Sequence, residues 1–467
     1  MVHCFTVNGR RLALDVESGS IHMLDETAYE ILKITQNLLH IPAAEGLLQK
    51  AKEIYLSQNA ANAQAAFLPD SDLNETLSEI KSLIEAKLLF TPEGKQKAYL
   101  QSRRPVVKAL CLHIAHACNL RCAYCFAGQG AYGGERGLMS AGTGKKAIDF
   151  LINSSGARRH LEVDFFGGEP MLNFNAVKEI VAYGREREKE AGKEFRFTLT
   201  TNGTLLTEAD YAFINEQMDN VVLSIDGRRE VHDRMRKNAD SDIGSYESIL
   251  PKLLQMANSR KNLKHYVRGT YTRYNLDFSK DVLHLADAGF KNISVEPAVA
   301  PPTEGYALTP EDVPALCAEY EKLAAEMLER EKRGRAFRFF HFEIDPEAGP
   351  CAIKRATGCG AGTEYLAVTP EGSLYPCHQF VSESAFRVGS LDEGITAPEV
   401  AGRFAGCNVF AKPECASCFA KYYCGGGCAA NAYHTRGDTL TPDEIGCALQ
   451  RKRTECALWL YSERKML

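Results

Sequence analysis

The sequence predicts an α/β fold centred on a parallel sheet, either open or curled into part of a barrel. Three observations predict it. Between Val106 and about residue 335, six strand-like stretches alternate with stretches long enough for helices. Repeated strand–helix units of this kind build parallel sheets. Polar or glycine residues close four of these strands: Cys118, Gly167-Gly168-Glu169, Thr201-Asn202-Gly203 and Ser224-Asp226-Gly227. In such folds the active site gathers at that end. Finally, 467 residues exceed what one core serves, so further domains flank the sheet.

The elements follow in order. Over residues 1–95, Leu12, Leu14 and Val16 alternate with polar residues, as a half-buried strand requires. Ser18-Gly19 offers a turn and SIHML a returning strand. Asp25 can cap a helix carrying Ala28, Ile31, Leu32, Leu38 and Leu39 on one stripe. A second helix is expected at DLNE, with Asp72 and Glu75 as a reciprocal cap and Leu73, Leu77, Ile80, Ile84 and Leu88 as its stripe. Thr91 to Arg104 reads as a linker. Residues 104–310 hold the strands VKALCLHIA, LEVDFFGG, FRFTLTTNG, NVVLSIDG, HYVRGTYTR and NISVEPA. A bridging helical segment occupies 311–345. Residues 346–455 are rich in cysteine, glycine and turns, and have too little core to fold without bound metal.

Composition narrows the function. The chain is 45% hydrophobic and 25% charged, ordinary for a soluble globular protein. A net charge of −5 gives no basic footprint for nucleic acid. The apolar runs are strand-sized, which argues against a membrane partner. MVHCFTVNGRR lacks the apolar core of a secretion signal, so a cytoplasmic location is expected. In a reducing compartment, sixteen cysteines point to metal binding or catalysis rather than disulfides. Cys4, Cys111, Cys317 and Cys456 are isolated and read as small buried hydrophobes.

In CNLRCAYC, Cys118, Cys122 and Cys125 form a set one short of four. Each thiolate ligates one iron of a [4Fe–4S] cluster, so three leave one iron open for a further ligand. A partial zinc site, completed by His113 or His116, is the alternative. The motif, with its aromatic Tyr124, resembles the CxxxCxxC signature of the radical S-adenosylmethionine (SAM) superfamily. FFGGEP resembles that superfamily's GGEP motif, in which Gly167 and Gly168 allow close approach and Glu169 would bind the methionine amine. Ser224 in SIDG, Arg236 in HDRMR and Asn202 in TTNGT are similar to further cosubstrate contacts; each could equally be a polar strand end satisfying its own turn. The resemblance implies a partial (β/α)6 radical SAM barrel, and an open iron that chelates S-adenosylmethionine. It further implies a 5′-deoxyadenosyl radical that abstracts hydrogen from the substrate, with a flavodoxin- or ferredoxin-type one-electron reductant.

The tail runs Cys359, Gly372-x4-Cys377, Cys415-x2-Cys418-x5-Cys424-x3-Cys428 and Cys447. This resembles the SPASM domain with two auxiliary [4Fe–4S] clusters, making three in the chain. The resemblance implies Cys415, Cys418, Cys424 and Cys447 on one cluster and Cys359, Cys377 and Cys428 on the other. Cys351 could complete the latter; without it an open iron could bind a substrate thiolate. Cys407 lies outside the pattern as a spare thiol, and His378 reads as a hydrogen-bonding neighbour of Cys377. The N-terminal hairpin and helices look like a PqqD-like winged module, which binds a leader peptide by strand addition.

Together the regions resemble maturases of SCIFF peptides. That implies a ribosomally made, Cys-rich precursor bound through its leader, and a sactionine-type thioether from a Cys sulfur to a backbone carbon, with Thr the expected acceptor (a sactipeptide product). Another SPASM oxidase, either sulfatase-maturase-like or carbon–carbon crosslinking, and a non-catalytic Fe–S scaffold are the alternatives.

Overall fold

The computed structural model describes residues 1–36, 38, 44–60, 70–94, 96–102, 104–260, 263–344 and 356–467. Near the N-terminus, β1 (Val2–Val7), β2 (Arg10–Asp15) and β3 (Ile21–Leu24) form an antiparallel sheet in the order β1-β2-β3. Asp15 accepts the Ser18 N–H at 2.8 Å, and Gly19 turns the chain at φ 78°. Asp25 caps the helix Glu26–Gln36 through the Ala28 N–H at 2.8 Å. The sequence pattern predicts these features. It does not predict that β2 is buried on both faces. Leu12 and Leu14 join the main core, while Ala13 packs with Ile31 and Leu32 under the N-terminal helices.

Three further expectations need correction. The helix expected at Asp72 spans Asp70–Glu85, so Asp72 and Glu75 lie inside it; the Asp72 carbonyl already accepts from Thr76 within the helix. Leu38 lies beyond the end of the first helix at Gln36, and Leu39 lies outside the described residues. The proposed linker contains a helix, Gln96–Ser102, and a further helix spans Ala44–Ala60. The Ala44–Ala60 helix has a helical stripe of Leu47, Leu48, Ala51, Ile54 and Tyr55 that the sequence reading passes over, and its Leu48 and Ala51 join the N-terminal core.

The chain then forms β4 (Ala109–Ala115), the short β5 (Leu120–Cys122), β6 (His160–Gly167), β7 (Glu194–Thr201), β8 (Asn220–Ser224), the short β9 (Arg236–Asn238), β10 (Lys264–Tyr271) and β11 (Asn292–Pro297). Six of these, β4-β6-β7-β8-β10-β11, are parallel neighbours in chain order. This is the predicted α/β architecture. All seven residues of β4 are buried, as the continuous apolar run ALCLHIA requires of a central parallel strand. β5 and β9 pair antiparallel, apart from this sheet.

The sheet does not stop at its six expected members. β12 (Arg338–Phe339) lies beyond β11, and on the opposite side β13 (Tyr365–Val368) runs parallel to β4. β14 (Ser373–Tyr375), β15 (Gly389–Ser390) and β16 (Gly394–Ile395) continue it antiparallel. The cysteine-rich tail is therefore continuous with the central sheet. A helix at Glu444–Arg464 ends the fold, packed on the helix Val313–Lys332 and on β1. No described helix is long and apolar enough to cross a membrane.

Candidate active site

The three-cysteine loop leaves the C-terminal end of β4 and is held from three sides. Gly168 donates its N–H to the Ala115 carbonyl at 2.7 Å, and Glu169 to that of Ala117 at 2.9 Å. A Cβ on Gly168 would lie 2.0 Å from the Ala117 oxygen, and Gly167 sits at φ 121°. The Gly-Gly pair thus lets the backbone of β6 close on the loop. Across the loop, Cys122 is in register with Arg236 on β9, and the Ala123 N–H bonds the Met235 carbonyl at 2.9 Å.

Asp226 joins these pieces, and residue-by-residue reading missed it. Its Oδ2 accepts from the Tyr124 hydroxyl at 2.6 Å and from Arg236 Nε at 3.1 Å, and its Oδ1 from the Thr270 N–H at 2.9 Å. It is fully buried. The signal lies in SIDG, where Asp226 stands two residues beyond Ser224. Ser224 lines the cavity described below; Tyr124 and Arg236 line it too, with their polar ends committed to Asp226.

Glu169 is buried at the cavity wall. Its Oε1 accepts from Met171 N–H at 3.0 Å and Thr201 Oγ1 at 2.7 Å, and its Oε2 from Asn202 N–H at 2.7 Å. Burial pushes its pKa up to about 7 against those hydrogen bonds. Oε2 keeps one acceptor position, and a cation there would favour the charged form. Asn202 is otherwise engaged with the loop: its Nδ2 reaches Asn119 Oδ1 at 2.9 Å and Cys118 Sγ at 3.8 Å.

Burial raises the Cys118 thiol to about 11 and Cys122 to about 12, with Arg236 opposing at Cys122. Such thiols lose their protons readily only to a metal. His113 and His116 turn to each other, Nδ1 to Nε2 at 3.0 Å, and neither lines the cavity. Among the described residues no three His, Cys, Asp or Glu side chains converge on one ion-sized point. Three separate thiol donors around an open cavity fit a multi-iron cluster, one iron per sulfur, better than a single zinc.

The tail thiols fall into two groups. Cys359, Cys377 and Cys428 feel one another's charge, as do Cys415, Cys418, Cys424 and Cys447. Burial raises Cys415 to about 11 and Cys447 to about 12. Cys351 lies outside the described residues. Cys407 bonds the carbonyls of Arg403 and Thr439, apart from both groups. His378 meets the Tyr365 hydroxyl at 3.3 Å and stands 5.3 Å from the Phe126 ring. Cys111 and Cys456 are buried as expected, and Cys4 and Cys317 partly so. One cavity of about 640 Å³ connects the three-cysteine loop, Glu169, Ser224 and Arg236 to Cys359, Cys428, Cys424 and Cys447.

Comparison with known proteins bears on the fold and the superfamily. Residues 112–243 match the Radical SAM superfamily. An uncharacterized protein of Methanocaldococcus jannaschii, MJ0907, is 31% identical over 41% of this chain and 62% of its own length, which is less than two thirds of that relative. The cysteine-type anaerobic sulfatase-maturating enzyme of Clostridium novyi is 24% identical over 67% of this chain and 85% of its own. The structure of anSMEcpe with bound AdoMet superposes with TM-score 0.63 at 20% identity, covering 77% of this chain and all of that one. Streptococcus suis SuiB bound to its precursor peptide SuiA superposes with TM-score 0.50 at 15% identity, covering 95% of this chain and 98% of SuiB. The segment 112–243 thus belongs to the radical SAM superfamily, set within the radical SAM α/β fold.

Proposed function

We propose that the protein is a radical SAM maturase that installs a sactionine-type thioether in a ribosomally made, Cys-rich precursor peptide, as SCIFF maturases do. The observation that carries this reading is the single cavity joining the three-cysteine loop to thiols of both tail groups. On this reading Cys118, Cys122 and Cys125 hold the first [4Fe–4S] cluster. Cys415, Cys418, Cys424 and Cys447 hold a second, and Cys359, Cys377 and Cys428 a third, with Cys351 as its candidate fourth ligand. One-electron cleavage of S-adenosylmethionine beside the first cluster supplies hydrogen abstraction from an otherwise unreactive carbon.

The chain's own residues bind and orient. Glu169 accepts the cosubstrate's ammonium on its remaining oxygen position. Gly167 and Gly168 keep the loop against β6, and Asp226 fixes Tyr124 and Arg236 as one wall. Phe126 and Phe166 line the same cavity and exclude water near the reacting carbon. A precursor's leader adds to an edge of the β1-β2-β3 sheet within a PqqD-like module at 1–95, ahead of a barrel at 104–310, a bridging segment at 311–345 and a SPASM domain at 346–455.

A sulfatase-maturase-like oxidase is the second reading, favoured by the C. novyi relative. All of anSMEcpe is covered by 77% of this chain, whereas the SuiB superposition takes in 95%. Both neighbours have been solved with a peptide bound, and the extra coverage favours the architecture of SuiB, solved with its precursor peptide. Anaerobic reconstitution tests both. We expect about twelve irons per chain, four for each cluster, and 5′-deoxyadenosine released with a reductant. A Cys-rich precursor should lose two hydrogens while one thiol becomes unreactive to alkylation. A mass loss with every thiol still alkylated would refute the thioether.

A further inference from the structure

Lys412 is only 1% exposed and lies between the two thiol groups of the tail. Its carbonyl accepts the N–H groups of Cys415 and Ala416, each at 3.0 Å, and so opens the turn that carries Cys415. Its ammonium donates to the Gly426 carbonyl at 2.9 Å. Gly426 is the middle of Gly425-Gly426-Gly427, the link from Cys424 in the four-thiol group to Cys428 in the other. All three glycines have positive φ, 75°, 93° and 74°, so the link follows a path that side chains would resist.

An ammonium carries three donors, and among the described residues no carboxylate lies within 4.0 Å of this one. Lys421, in the same segment, is also buried but sits 2.8 Å from Glu17. A buried cation without a carboxylate is strongly unfavourable unless other negative charge surrounds it. Beyond the exposed carboxylate of Asp438, whose charged form Lys412 also favours, the groups placed to supply that charge are sulfurs. Gly426, held by the Lys412 ammonium, stands two residues from Cys424 in one group and two from Cys428 in the other, while the Lys412 carbonyl opens the turn of Cys415.

We propose that Lys412 is the shared counter-ion of both auxiliary iron–sulfur clusters, a positioning residue that raises their reduction potentials together and pins the glycine link between them. The proposal rests on the reading of the tail thiols as cluster ligands. Net charge and hydrogen bonding near the sulfurs tune a cluster's potential. A fixed positive charge stabilises the reduced form, which carries one more electron. The first cluster, held by the 118–125 loop, gains nothing from Lys412 and serves as an internal reference.

The test is a mediated redox titration of the full-length, anaerobically reconstituted protein, followed by electron paramagnetic resonance and iron analysis. Lys412→Gln keeps a donor for Gly426 but removes the charge. It should retain its iron and shift both auxiliary midpoints to more negative potential while the first cluster stays in place. Lys412→Arg should hold all three midpoints near wild type. Unchanged auxiliary midpoints in a fully loaded Lys412→Gln would overturn the proposal. If Lys412→Gln sheds iron, Lys412→Arg decides: restored iron supports the counter-ion, and continued loss overturns it. A wild-type protein holding about four irons rather than about twelve sinks the auxiliary-cluster reading itself, and Lys412's role with it.

Discussion

Two regions of this molecule gather thiols, and they are held by different means. The loop 118–125 hangs from β4 and is bonded to the end of β6, to β9 and, through Asp226, to β10. Sheet geometry fixes it before any guest arrives. Around Cys415–Cys428 the regular structure consists of single helical turns, Pro413–Ala416 and Lys421–Cys424, and a run of three glycines. Their support comes from far away in sequence. Glu17 bonds Lys421 Nζ at 2.8 Å and the Tyr422 hydroxyl at 3.1 Å, and the His3 ring stacks on Phe419 at 3.5 Å. One site is preorganised by a sheet. The other is braced from the N-terminal strands and their following turn.

The preorganised loop has least tolerance for backbone change, so the largest effect is expected there. In Gly168→Ala the new methyl meets the Ala117 carbonyl oxygen at 2.0 Å, a backbone atom that cannot swing aside. The Gly168 and Glu169 hydrogen bonds to the loop must then break. We expect 5′-deoxyadenosine formation to fall below detection and the first cluster's signal to disappear, with iron in the tail retained. Wild-type cleavage by this variant would show that the loop is not gripped from β6.

Metal removal probes the other side of the comparison. Hydrogen exchange on chelated protein should leave β4 and β6 amides protected, because their ladder needs no guest. Amides of 413–428 should lose most of their protection, since a site whose ligands must be assembled folds with its metal. Equal loss in both regions would remove the distinction.

The sheet was legible in the sequence because period and strand ends repeat six times, and each repetition constrains the others. CNLRCAYC and GGEP were legible because iron and close backbone packing demand those residue types. What escaped notice was carried by tertiary partners. β13 carries a short apolar run, YLAV, and nothing local marks it as a neighbour of β4. The second buried face of β2 exists because Leu12 and Leu14 meet the main core, which no local pattern announces. Glu17 and Lys421 are unremarkable charges in sequence, and the fold makes them a buried pair. Asp226 reads as one acidic strand end among several until its three partners converge.

The brace gives an intermediate effect. Glu17→Ala removes the carboxylate from Lys421, whose side chain is 6% exposed, and leaves a buried ammonium uncompensated. Breaking such a pair from one side costs about 3–5 kcal/mol. The full-length variant should therefore unfold several degrees lower and release tail iron faster under chelation, while the first cluster is spared. Replacing both partners, Glu17→Gln with Lys421→Met, should recover most of the loss. Deletion of residues 1–95 would be a harsher version of the same change, because Phe5, Val7, Leu12 and Leu14 belong to the main core. A truncation of that kind would disturb the tail as well as any leader binding.

The smallest effect separates a thiol that is merely near from one that is placed. Cys407 precedes the four-thiol group and could be mistaken for part of it by proximity in sequence. Its sulfur instead donates to the Arg403 carbonyl at 3.4 Å and approaches that of Thr439 at 3.5 Å. A serine hydroxyl can donate there too, so Cys407→Ser should change stability by no more than about 1 kcal/mol. Iron content and auxiliary midpoints should match wild type. Loss of four irons from this variant would mean that the tail selects its ligands differently from the grouping drawn by burial and charge.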